Sequence, residues 1–117
     1  MNFNELMENI KKENGEVPRP IELLGQLDEG QVMRLVSERQ SAFSGEAIPQ
    51  KYKALLAMSV GIALDSPPCI LNNVKHAKKA GASTEEIIEA FAVSRFAKSA
   101  SAMASSMLAF EWLANNK

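Results

Sequence analysis

The chain has 117 residues, 46% of them hydrophobic, with 13 lysines and arginines against 14 aspartates and glutamates and a net charge of −1. That length and apolar content fit one domain, able to bury a single core and small enough to gain from oligomerisation. Acids and bases are mixed along the chain, which excludes an electrostatic footprint for nucleic acid or an anionic membrane, and the longest uncharged stretch, Ala54 to Leu64, is far short of the roughly 20 residues a span needs.

No alternating Val/Ile/Thr/aromatic run is present, so helices are expected to account for nearly everything. Asn4 to Asn14 reads as an amphipathic helix with Leu6, Met7 and Ile10 on one side, ending at Asn14-Gly15 before the loop Pro18-Arg19-Pro20. A short apolar turn, Ile21 to Leu27, precedes a helix from about Glu29 to Phe43, with Val32, Leu35 and Val36 inward and a stop near Ser44-Gly45. Pro49 opens a third long helix through Leu55, Leu56, Met58, Val60, Ile62 and Leu64. Being apolar on nearly all sides, it should be central and enclosed by the fold or by a subunit.

The next helix starts at Ser66-Pro67-Pro68-Cys69 and runs to Gly81. Ser66 can cap it, Pro67 suits its first position, and Cys69 falls in its first turn. Ser83-Thr84-Glu85-Glu86 is a capping box, starting a helix with Ile87, Phe91 and Ser94 inward. Ser99 to Asn115 reads as a last helix, rich in small residues, whose Met103, Met107 and Phe110 either line a pocket or fill gaps in the core, with Trp112 as a packing anchor.

Cys69 is the only cysteine, which excludes an intrachain disulfide. With a start, Met1-Asn2-Phe3-Asn4-Glu5, that lacks the basic and apolar parts of a signal peptide, a cytoplasmic location is expected. A thiol in the first turn of a helix faces backbone N–H groups, which favour the thiolate, while the neighbouring Asp65 opposes it. The alternative is a buried, inert sulfur. Asn73 follows four residues later on the same face and can orient a bound group without titrating. His76 follows after two turns, about 10 Å along the axis, where a water or substrate would have to bridge it to the sulfur; it is either a partial proton relay or an ordinary helix histidine among Lys75, Lys78 and Lys79. One histidine and one cysteine without clustered carboxylates do not make a closed metal site, and no cofactor is expected.

The stretch from about Ile48 to Phe96 resembles the carboxymuconolactone decarboxylase and alkylhydroperoxidase D-like family. Redox members of that family carry a Glu, eleven residues, Cys-x-x-Cys, three residues, His, then Ala-x-x-x-Gly-Ala-x-x-x-Glu-Ile. Cys69, Ala77, Gly81, Ala82, Glu86 and Ile87 match in register, and Ile48-Pro49-x-Lys51 resembles the start of the preceding helix. The first motif cysteine aligns with Ser66, the family histidine with Asn73 and the family glutamate with Ala54. The resemblance implies an all-α, alkylhydroperoxidase D-like domain of about six helices, assembled as a homo-oligomer, a trimer or hexamer.

It also implies a site around Cys69, with Ser66 and Asn73 at the changed motif positions and His76 added by its helix spacing alone, but the family's internal dithiol cycle has no second cysteine here. Two readings of function follow. One is a single-cysteine thiol oxidoreductase that reduces a peroxide or disulfide with an external resolving thiol. The other is a non-redox use of the scaffold, either lactone decarboxylation, for which His76, Arg95 and Lys98 are the proton donors nearby, or ligand binding without turnover.

Overall fold

The computed structural model describes all 117 residues and holds seven α-helices and no strand: α1 (Phe3–Asn14), α2 (Arg19–Leu27), α3 (Glu29–Phe43), α4 (Gln50–Ala63), α5 (Pro67–Lys79), α6 (Thr84–Ser105) and α7 (Met107–Asn115). The all-α expectation holds. The helix beyond the expected six is α2, where Pro20 in the first turn and a run of Ile21, Leu23 and Leu24 support a full helix in place of a turn. Close contacts divide the chain into two compact units, Met1–Gly45 and Glu46–Lys117. No helix is long and apolar enough to cross a membrane.

In the first unit, Asn2 and Glu5 form a reciprocal cap on α1, with the Glu5 N–H donating to Asn2 Oδ1 at 2.8 Å. The helix stops where Gly15 adopts φ 83° and returns its N–H to Lys11 O, a conformation glycine enters at little cost. Gly25 of α2 is buried against Phe3, whose ring would lie 2.6 Å from any Cβ at that position. Asp28 ends α2 and caps α3 through its side chain. Val32 is fully buried, as its place on the apolar stripe predicts, but Leu35 is 48% exposed. The stripe on α3 is wider than the surface that covers it.

The second unit is built on α4, which packs against α5 and α6. Its core is small: Ala54 and Met58 of α4, Ala77 of α5, Ala82, and Ile87 of α6, ringed by Leu55, Ile62, Ile70, Val74 and Ala90. Alanines let the backbones approach closely, so Met58 supplies much of the buried volume. Two polar links tie α4 to α6. Ser94 Oγ and Ser59 Oγ lie 2.8 Å apart, each also bonded to a carbonyl in its own helix, and Lys98 Nζ reaches Ile62 O at 3.2 Å.

Two expectations for the C-terminal half are corrected. Ser99 is not a helix start, because α6 runs unbroken for 22 residues to Ser105. The break falls at Ser106, whose hydroxyl donates to Ala102 O and whose N–H donates to Met103 O, a back-bonding pattern that bends helices. Nor do the large apolar side chains beyond Ile87 enter the core: Phe91, Met103, Met107 and Phe110 are exposed and Trp112 is 63% exposed. They are neither gap-fillers nor an anchor within this chain, and α7 has no buried residue.

The capping box at Ser83 and Glu86 forms as read, with Glu86 N–H donating to Ser83 Oγ at 3.0 Å and Ser83 N–H to Glu86 Oε1 at 2.9 Å. The other oxygen of Glu86 meets Lys51 Nζ at 3.0 Å, which joins the starts of α4 and α6. The Ser83 N–H, and after it Lys51, hold the Glu86 carboxyl below its ordinary value of 4.5, and the bond from Glu86 raises Lys51. Because the folded-state value of Glu86 is depressed, its contribution to stability is present above pH 4.5 and fades as pH falls through the lowered value. Glutamine keeps the capping acceptor and loses the charge. Thermal unfolding of Glu86→Gln should therefore begin a few degrees below wild type at neutral pH and converge with it in acid. A gap that stays constant down to pH 3 would overturn this assignment.

Candidate thiol site at the start of α5

The turn between α4 and α5 is short and held at each residue. Leu64 N–H donates to Val60 O, Asp65 N–H to Ile62 O, and Ser66 N–H to Gly61 O at 3.0 Å. Asp65 adopts φ 53°, a left-handed conformation that aspartate enters more readily than most side chains. Lys98 pairs with it, with Nζ on Asp65 Oδ1 at 2.5 Å as well as on the Ile62 carbonyl. The carboxylate expected to oppose a thiolate at Cys69 is thus paired with a cation.

Ser66 stands at the N-cap of α5 and Pro67 at its first position, as the sequence predicts. The hydroxyl of Ser66 makes no capping hydrogen bond, and the expected side-chain cap is corrected on this point. With φ −107° and ψ 94°, Ser66 begins the helix through its backbone, its carbonyl accepting from Ile70 N–H at 3.0 Å.

Cys69 is a free, exposed thiol. An exposed position does not fit a buried filler. Its Cβ packs over Gly61: a Cβ at position 61 would lie 3.2 Å from Cys69 Cβ, 3.2 Å from Ile70 N and 3.3 Å from Ile70 Cγ1. Gly61 therefore lets the first turn of α5 rest on the backbone of α4.

Asn73 is placed differently from the sequence reading. It is 8% exposed, on the face of α5 that packs into the unit, and its Nδ2 donates to the Cys69 carbonyl at 2.8 Å. Its Oδ1 is buried without a hydrogen-bond partner. It fastens the backbone of Cys69 from below and does not line an open space beside the sulfur. His76 is half-buried two turns along α5, where the helix rise alone sets it about 10 Å from Cys69.

Of the four residues the sequence singled out, Ser66, Cys69 and Asn73 come together at the first turn of α5 and His76 stands apart. Sequence reasoning missed Gly61 as the seat of the thiol and Lys98 as the partner of Asp65. The first had a signal, a glycine inside an apolar helix, which marks a close approach; the second, 33 residues away in the chain, had none. Arg95 is exposed, and Lys98 is engaged in the turn. No three His, Cys, Asp or Glu side chains converge on a common point that could hold a metal ion.

No curated protein matches the chain in sequence. Residues 31–112 match the sequence model of the carboxymuconolactone decarboxylase family, a span that takes in most of α3, all of α4 to α6 and most of α7 and so contains the whole of the Cys69 turn. With most of its length matched and an all-helical fold, the chain belongs to the carboxymuconolactone decarboxylase family.

Proposed function

We propose that the protein is a single-cysteine thiol oxidoreductase whose reacting group is Cys69. The observation that carries this reading is an exposed lone thiol in the first turn of α5, seated on Gly61 and with its neighbouring carboxylate paired to Lys98. The thiolate is the attacking species. With a peroxide ROOH, the sulfur attacks the O–O bond, the alkoxide leaves and takes a proton, and the products are a sulfenic acid on Cys69 and ROH. An external thiol R′SH then displaces water to form a mixed disulfide, and a second R′SH releases the Cys69 thiol and R′SSR′. Two thiol electrons account for the reduction of one peroxide. Such a cycle draws on a reducing thiol pool.

In this reading His76, two turns from Cys69, acts on the step through a bridging water or substrate. Trapping of sulfenic acid with a cyclic diketone after dilute peroxide should label folded wild type once, fail in Cys69→Ser, and slow in His76→Ala. Equal rates in wild type and His76→Ala would remove the histidine from the mechanism. A wild-type protein that stays unlabelled until it is unfolded would overturn the reading and direct attention to non-redox uses of the scaffold, lactone decarboxylation or ligand binding.

A further inference from the structure

The first unit carries a cleft of about 380 Å³, open to solvent, between α1, the turn after it, α2 and the start of α3. That volume lies in the range of small-molecule sites, about 300–1,000 Å³. One part of the lining is apolar. Phe3 and Met7 come from α1 and Val17 from the turn, and Gly25 of α2 leaves the notch that receives the tip of the Phe3 ring, 2.6 Å from where a Cβ would stand. An aromatic ring and a thioether are polarisable surfaces on which a flat apolar body packs well.

The other part is polar, and its charges are of one sign. Glu22 and Gln26 of α2 and Glu29 of α3 line it, and no lysine or arginine does. Glu22 is already held by Arg19 at 2.9 Å, whereas Glu29 enters no ion pair of the chain. The surroundings agree in sign: Met1–Gly45 holds eight acidic residues against five basic ones, a net −3, while the rest of the chain is +2. All seven lining residues precede residue 31, where the family match begins, so the cleft lies in a part of the chain that this match does not reach.

We infer that this cleft binds a small organic cation, an amine joined by a short chain to an aromatic body. The body packs against Phe3, Met7 and Val17, and the ammonium group meets the carboxylate of Glu29. Charge selects the ligand, because an anion of the same shape would face two glutamates, and a neutral one would gain the apolar contact alone. The site makes no use of Cys69, and its occupancy is measured apart from any thiol chemistry.

Three probes share one indole body: tryptamine is a cation, 3-ethylindole is neutral and indole-3-propionate is an anion. Titrated into the isotope-labelled full chain, tryptamine should shift the amide resonances of Phe3, Met7, Val17 and Gly25 saturably. It should bind about fivefold more tightly than 3-ethylindole, with indole-3-propionate the weakest of the three. The preference should shrink as salt is raised and disappear in Glu29→Gln, which keeps the binding of 3-ethylindole. Val17→Trp, still helical by circular dichroism, should fill the cleft and remove binding of all three. Absence of saturable shifts at these amides overturns the inference, as do equal affinities for the three probes or a preference that Glu29→Gln leaves intact. Shifts that follow protein concentration and exclude tryptamine would also overturn it, since a second copy of the chain would then occupy the cleft.

Discussion

Gly61→Leu should lower the stability of the chain by about 3 kcal/mol and disorder the surroundings of Cys69, an effect of overpacking at a closed contact. The argument turns on which atoms stand in the way. A Cβ at position 61 meets Ile70 N at 3.2 Å, and a backbone atom in the first turn of a helix cannot rotate aside as a side-chain tip can. Leucine would drive the start of α5 off α4 and carry the thiol with it. Alanine is the informative control: it gains about 1 kcal/mol of helix propensity over glycine and loses a similar amount to the tight contact, so Gly61→Ala should lie close to wild type. Unfolding by denaturant measures both, with iodoacetamide alkylation of Cys69 as the local probe. Gly61→Leu within 1 kcal/mol of wild type would show that α5 does not rest on this glycine.

Met58→Ala is the second large effect, at about 3 kcal/mol and a fall of roughly 10 °C in the unfolding midpoint. Met58 is 1% exposed and is the largest fully buried side chain, in a cluster whose other members are three alanines and Ile87. Alanines cannot move in to fill the gap, because their Cβ atoms are fixed by helices that already lie close together. The cavity should stay open, which puts the cost in the middle of the range for such truncations. Met58→Leu, nearly equal in volume, should cost less than 1.5 kcal/mol. Equal losses for the two variants would mean that shape and not volume sets the value of this residue.

Local signals in the sequence proved sufficient where the physics is local. Ser83 and Glu86 are three residues apart and form the cap that their spacing predicts. Gly15 and Gly81 take positive φ at the ends of helical patterns, and Pro67 starts α5. Periodicity reports which side of a helix is apolar, but not whether anything covers it, which is why Leu35 and Phe91, inward by spacing, and Trp112, an anchor by its size, stand exposed. The break at Ser106 is not legible in the sequence because a hydroxyl bonded to its own helix leaves no mark in spacing. At the site, the position of Cys69 was legible from the cap-and-proline start, whereas the inward turn of Asn73 depends on where α4 and α6 pack. Lys51 with Glu86 and Ser59 with Ser94, each pair 35 residues apart, belong to the tertiary fold alone.

Lys98 gives the thiol corner an order of assembly. The hairpin of α4 and α5 can collapse as soon as its own residues are available, but the left-handed Asp65 and the Ile62 carbonyl gain their cation only from Lys98, 33 and 36 positions further on. During synthesis the nascent hairpin would carry its cysteine in an unfinished turn until most of α6 had emerged and docked. The final shape of the entrance to Cys69 is therefore set late, by a long-range closure that adds little to the rate of collapse and much to the precision of one turn.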